Sequence, residues 1–280
     1  MSVVNIPDAA GKILTVQEID GRLYPRFDPG VLRNVPSLKL RDDDVILCGF
    51  PKSGTHWLFE IGRSLLHGKL GTDVKPKESL FVDMVPESEL NKVDSPRILN
   101  THVRFDRLPS DVKTKNLKIL YVRRNPKDLV VSYYNHTHGE FKDYLPLFSN
   151  GLAYGSWFEY VLEWEKIIAN NQELSILDVA YENLKEDPIQ EIRRLSDFLG
   201  VQRNKDFIEE ISDFCNFSTM KGRFKDKMGI KDGHNIFYRK GEVGDWKNWF
   251  TVAQNEWFDQ LYREKMADSK LKFKFTLNED

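Results

Sequence analysis

The sequence predicts an α/β fold, a central parallel sheet flanked by helices. Short strand-like runs alternate with longer stretches of helical periodicity along the chain. Several of those runs are apolar on both faces, as strands lying between two helical layers must be. The 280 residues hold no internal repeat and no low-complexity tract. That length suits one large domain, with two small ones still open.

Residues 1–44 are mixed and polar and end in RDDD, a solvent-facing approach to a first strand. Residues 1–17 read as a flexible N-terminal segment. VILCG (Val45–Gly49) is the first strand. Thr55–His67 follows as a helix, with Leu58, Ile61, Leu65 and Leu66 at helical spacing. The Gly and Pro residues of GKLGTDVKPKES then break regularity. RILNTH (97–102) and LKILYV (117–122) are the next strands. Asn125 as cap, Pro126 in the first turn and Asp128 three residues after the cap start another helix. Residues 156–171 form an amphipathic helix with Trp157, Val161, Trp164 and Ile168 on one face. LSILDVAYENL (174–184) reads as strand and Pro188–Leu199 as a helix ended by Gly200. Further helices fit 204–214 and 252–267.

Lys+Arg 41 against Asp+Glu 43 leaves a formal charge of −2. General polyanion binding needs a basic excess, so a nucleic-acid partner is excluded. The hydrophobic fraction of 40% is ample for a packed core and argues against disorder. Two cysteines, Cys48 and Cys215, give no disulfide framework and no cysteine metal site. No stretch approaches the ~20 apolar residues that span a bilayer. The reading is a soluble, cytoplasmic protein without a membrane partner.

The chemistry gathers where strands end. In VILCGFPKSGTHW, Gly49 and Gly54 have the spacing of a nucleotide-binding P-loop. Thr55 and His56 occupy its Lys and Ser/Thr slots, and the lysine stands earlier, at Lys52. The helix N-terminus after Gly54 offers free N–H groups and a dipole to an anion. The third strand runs into Arg123-Arg124, where a kinase or ATPase would place a Mg²⁺-holding Asp. Adjacent arginines invite a phosphate instead, and Ser132 lies about two turns into the next helix. FYRKGEVGDW adds Arg239, Lys240 and Gly241. Such basic clusters in a slightly acidic chain point to one small, multiply charged anion.

At these residues the sequence resembles the cytosolic PAPS-dependent sulfotransferases, over most of the chain. PKSGTHW resembles the 5′-phosphosulfate loop, YVRRNPKDLVVSYY the 3′-phosphate segment, and YRKGEVGDWKNWFT the C-terminal signature. YENLKEDP and YGSWFEYVLEW match in order and spacing. The resemblance implies a P-loop-like sulfotransferase architecture across a single domain, 1–280. It implies PAPS (3′-phosphoadenylyl sulfate) as donor, PAP as product, and no metal. Lys52, Ser53, Gly54, Thr55 and His56 would surround the 5′-phosphosulfate. Trp57 would stack on the adenine and Tyr181 would bond near it. Arg124, Ser132, Arg239, Lys240 and Gly241 would hold the 3′-phosphate. CNFSTMK is similar to the adenine-contacting segment, placing Phe217 and Met220 at the base, with Cys215 where the family often has Thr.

By the same resemblance, His102 is the base that takes the acceptor proton and Lys52 stabilises the leaving phosphate. Ser132 would engage Lys52 and restrain donor hydrolysis. Asn100 stands where the family commonly has Lys. The acceptor, a phenol, catecholamine or alcohol, or an amine, would meet Phe81, Asn100, His102 and His136. Walls are expected from 76–93, with Phe81, Val82 and Met84, and from 134–145. His136, His138 and Glu140 there suggest an acceptor with a polar or cationic handle. KNWFTVAQNE is similar to the family's dimer motif, so Lys247, Thr251, Val252 and Glu256 predict a homodimer. A P-loop small-molecule kinase, a non-catalytic PAP-binding protein and a variant that eliminates sulfate remain as other readings.

Overall fold

The computed structural model describes residues 2–71, 75–136, 140–224, 230–231, 234–235 and 238–277. Its centre is a four-stranded sheet of β4 (Val45–Gly49), β5 (Ile98–Thr101), β6 (Lys118–Arg123) and β7 (Ile176–Ala180), in the order β5-β4-β6-β7. All its pairings are parallel, with Cys48 opposite Thr101 on one side and Tyr121 on the other. Every residue of β4 is buried, as its apolar run requires.

The Thr55–His67 helix starts at Gly54 and ends at Gly68, both left-handed. It lies close to the sheet at Gly62, where a Cβ would come within 2.8 Å of Ile98 Cδ1. Asn125 caps the Pro126–Tyr134 helix by accepting from Asp128 N at 2.9 Å. In the Trp157–Asn170 helix, Trp157, Val161 and Trp164 are buried, and Trp164 stacks on Tyr121 of β6 at 4.5 Å. The Pro188–Leu199, Lys205–Phe214 and Val252–Lys265 helices agree with the sequence reading.

Two expectations are corrected. Residues 1–17, read as flexible, contribute β1 (Ser2–Pro7) and most of β2 (Ile13–Ile19), which with β3 (Arg22–Tyr24) form an antiparallel sheet. The turn is tied by Asp8, whose carboxylate accepts from Ala10 N and Lys12 N. Val16 and Ile19 bury the inner face of β2. The strand expected over 174–184 stops at Ala180, paired with Arg123, and Tyr181–Glu186 turns into a helix. Within that helix Glu182 accepts from the buried Asn125 N–H at 2.7 Å.

Below the sheet, Arg97 precedes β5 and makes a two-pronged pair with Asp44, at 2.8 and 2.5 Å. No helix among the described residues is long and apolar enough to cross a membrane.

Candidate active site

The parallel strands deliver their carboxyl ends side by side, and site chemistry begins immediately beyond each. β4 leads into the 50–54 loop, β5 into His102, β6 into Arg124 and β7 into Tyr181. The strand order reverses at β4, whose neighbours β5 and β6 both follow it in sequence, so a crevice opens there. A cavity of about 540 Å³ occupies it.

The glycine loop is shaped by backbone need. Lys52 sits at φ +73, which costs a non-glycine residue about 1–2 kcal/mol. Gly54 is at φ +107, and a Cβ there would meet Tyr181 Cδ2 at 2.6 Å. Lys52, Gly54, Thr55, His56 and Trp57 all line the cavity. Ser53 lies beneath it, with its hydroxyl buried and unbonded. Lys52 Nζ is 3.4 Å from His136 Nε2. Burial, then Arg124, Lys77 and Arg239, pushes the Lys52 ammonium well below its usual pKa. His56 contacts Glu78 Oε1 through Nε2 at 2.6 Å. A carboxylate only accepts there, so Nε2 carries the hydrogen.

Arg124 gives long bonds to Lys52 O and Glu242 O, and its guanidinium lies 4.1 Å above the Tyr181 ring. Its Nε is buried without a partner, as is that of Arg239. Arg239 and Lys240 converge on buried Asp245, at 2.5 and 2.6 Å. Asp128 holds their turn by accepting from Gly244 N and Trp246 N. Gly241, at φ +70, leaves space that a Cβ would fill 2.1 Å from Phe217 Cδ2. Ser132, Tyr181, Cys215, Phe217, Met220, Arg239, Lys240 and Gly241 open on the same cavity as Lys52. Trp57 and Tyr181 meet edge to face at 5.5 Å. Burial pushes the Cys215 thiol up to about 12, so it is neutral. Among the described residues, no group of three His, Cys, Asp or Glu side chains could hold a metal.

His102 is the best-defined group. Its Nδ1 lies 2.6 Å from Gly49 O. A carbonyl only accepts, so Nδ1 carries the hydrogen and Nε2 keeps its lone pair. Burial, then the charge on Lys77, lowers its pKa to about 3, leaving a neutral imidazole. Its backbone N–H is anchored by Asp83, which also accepts from Thr101 Oγ1 at 2.5 Å and Tyr154 OH at 3.2 Å. Burial raises Asp83 to about 6 against those bonds.

Sequence reasoning missed Lys77, Glu78, Asp83 and Tyr154. The first three lie in the 76–93 wall, where no periodicity marks individual positions. Two acceptor expectations shift. Asn100 does not line the cavity; it is fully buried, with both amide atoms unbonded. Glu140 is exposed and pairs with Lys142 at 3.1 Å, away from the cavity walls. His138 lies outside the described residues. Phe81 and His136 do line the cavity, as do Phe27, Tyr133, Tyr144, Tyr154 and, from β2, Leu14, Thr15 and Val16.

A family model described as a sulfotransferase domain matches residues 42–270. Sulfotransferase 6B1 of Danio rerio is 34% identical over 270 residues, covering 90% of this chain and 88% of that protein. Sulfotransferase 1E1 of Bos taurus is 36% identical over 269 residues, covering 86% and 89%. The crystal structure of mouse sulfotransferase SULT7A1 complexed with PAP superposes with a TM-score of 0.77 at 31% identity, covering 91% of this chain and 95% of that one.

Proposed function

The chain belongs to the sulfotransferase family, and from that premise we propose that it moves a sulfuryl group from PAPS to a hydroxyl of a flat, small aromatic acceptor. An amine or aliphatic alcohol is the second acceptor class. The observation that carries the reading is the tautomer of His102, which aims a lone pair into the cavity that Lys52 and Arg124 share.

The donor supplies a sulfuryl group on a phosphate that leaves readily. The chain's own residues supply the rest. Lys52 and the helix N-terminus at Thr55, with Ser53 and His56, would hold the 5′ end. The lining of the cavity by Lys52, Thr55 and His56 supports this. Arg124, Ser132, Arg239, Lys240 and Gly241 would hold the 3′-phosphate. Trp57, Tyr181, Cys215, Phe217 and Met220 would enclose the base. His102 Nε2 takes the acceptor proton, and the resulting imidazolium keeps its bond to Gly49 O. An imidazole with pKa about 3 is a weak base. The negative charge of a bound donor offsets the field of Lys77 and Lys52 and raises that basicity. The base is thereby strengthened only when the donor is in place.

The aromatic walls from Phe27, Phe81, Tyr133, Tyr144 and Tyr154 support a planar acceptor. The contact of His136 with Lys52 weakens the cationic-handle reading, since a second cation would be repelled there. We place the enzyme in the cytoplasm, and as a homodimer. Lys247, Thr251, Val252 and Glu256 are all exposed, with Val252 at 76%, which supports a partner on that face.

Labelled-PAPS transfer over phenols, catecholamines, sterols and alcohols, with and without EDTA, tests the reading. His102→Gln is expected to lower turnover by ~10²–10⁴-fold and leave PAP affinity intact. Tight PAP binding without transfer to any acceptor would select the non-catalytic reading. Mg²⁺-dependent ATP turnover would select the kinase.

A further inference from the structure

Lys77 opens the 3₁₀ turn Lys77–Leu80 and is only 5% exposed, yet it lines the cavity. Its Nζ lies 5.1 Å over the Phe81 ring, and that ring is 5.0 Å from the His102 imidazole. The ammonium and the base thus neighbour the same aromatic ring. Among the described residues, no carboxylate stands within ion-pair distance of it. The anions nearest in sequence are committed elsewhere. Glu78 Oε1 holds His56 at 2.6 Å, and Asp83 is occupied by Thr101, the His102 N–H and Tyr154. Glu78 and Asp83 act on it only through space, and a charge this deeply buried with no anion at bonding distance is costly unless a ligand completes it. Asn100 leaves the same region without a cation from β5, and its amide does not open on the cavity.

We propose that Lys77 is a catalytic residue whose ammonium donates to the non-bridging oxygens of the sulfuryl group while it is transferred. This rests on the sulfotransferase reading above. In the step, the acceptor oxygen bonds sulfur as its proton passes to His102 Nε2. The bond from sulfur to the bridging oxygen breaks, and its electron pair stays on the 5′-phosphate of PAP beside Lys52. Lys77 keeps its proton throughout; it orients the group and balances its charge. Lys77 also lowers the pKa of His102, second only to burial, and that of His56. A single side chain thus ties the base strength of His102 to the anion between them.

PAP lacks the sulfuryl group, so the two nucleotides separate this role from general charge. Calorimetry without acceptor is expected to show Lys77→Met weakening PAPS by about 10–100-fold, the loss of one charge-assisted bond. PAP affinity should change by less than about threefold, and Lys77→Arg should retain PAPS affinity. In the ligand-free protein, NMR titration should show the His102 pKa rising in Lys77→Met, a shift that loss of packing alone would not produce. Lys77→Gln repeats both measurements should the methionine variant fold poorly. Equal losses for PAPS and PAP, or no loss in a protein whose wild type transfers sulfate, would overturn the role of Lys77 alone. A wild type that binds neither nucleotide overturns the sulfotransferase reading and this inference with it.

Discussion

Arg97 and Arg124 are both buried arginines attached to the same sheet, at opposite ends, and the chain treats them differently. Below β5, Arg97 has its charge matched by Asp44 and a further bond to Leu90 O at 2.9 Å. Beyond β6, Arg124 reaches, among the described residues, only carbonyls, at 3.4 and 3.2 Å, and an aromatic face. Lys77 shows the same pattern as Arg124. Charge that the chain neutralises itself is architecture; charge buried and left to carbonyls and rings is a place for an anion. Burial alone does not tell the two apart, whereas a count of partners does.

Asp44→Ala should produce the largest effect on folding. It strands the Arg97 guanidinium, and breaking a buried pair from one side costs about 3–5 kcal/mol. Urea unfolding measures it, and PAP affinity of the folded fraction should be unchanged. Arg124→Met removes a charge that no carboxylate among the described residues meets at ion-pair distance, so stability should move by less than ~1 kcal/mol. If both variants lost stability equally, the distinction between the two ends would fail.

The same Arg124→Met variant should lose about 10–100-fold in PAP affinity with little change for AMP, since only PAP carries the 3′-phosphate. Equal losses for the two nucleotides would move Arg124 away from the ribose 3′ position. Gly241→Ala comes next. Its φ of +70 and the 2.1 Å approach to Phe217 require the ring to swing away from the cavity. The backbone strain is of order 1–3 kcal/mol, and PAP affinity should fall by about tenfold in calorimetry. An unchanged affinity would show that Phe217 does not bound the base.

Strand ends and donor loops were legible because their signals are local. An apolar run followed by GFPKSGT, or by RRNP, announces both the strand and the ligand chemistry after it. Lys77 and Asp83 were not legible, since each acquires meaning from residues distant in sequence: His102 and Tyr154, and for Lys77 also Lys52. The 76–93 segment offers no period by which one position could be ranked above another. The β1–β2 hairpin was misread for a different reason. Its alternation ILTVQEI is present, but β2 is buried on one face only by Val16 and Ile19, and a polar terminal stretch gives that pattern little weight. Asn100 was expected at the acceptor from its place two residues before His102. Along β5 such neighbours share a face, but the cavity begins above the strand, and Asn100 remains below it.

The smallest effect concerns another buried carboxylate, Asp83, which unlike Asp44 has no cationic partner at bonding distance among the described residues. Burial raises its pKa to about 6 from the ordinary 3.8, although Thr101, the His102 N–H and Tyr154 all donate to it. The folded protein therefore holds more protons than the unfolded chain between those values. Stability from this group is complete below about 3.8 and is lost as pH rises through about 6, the reverse of an ion-paired carboxylate. Tyr154→Phe removes one donor to it. Near pH 4 Asp83 is neutral and the lost bond is weak; near pH 7 it is charged, and the loss should reach about 0.5–1.5 kcal/mol. Urea unfolding of both proteins across that range should show the gap widening with pH. A constant gap would mean that Asp83 keeps one charge state throughout, and the contrast with Asp44 would then rest on geometry alone.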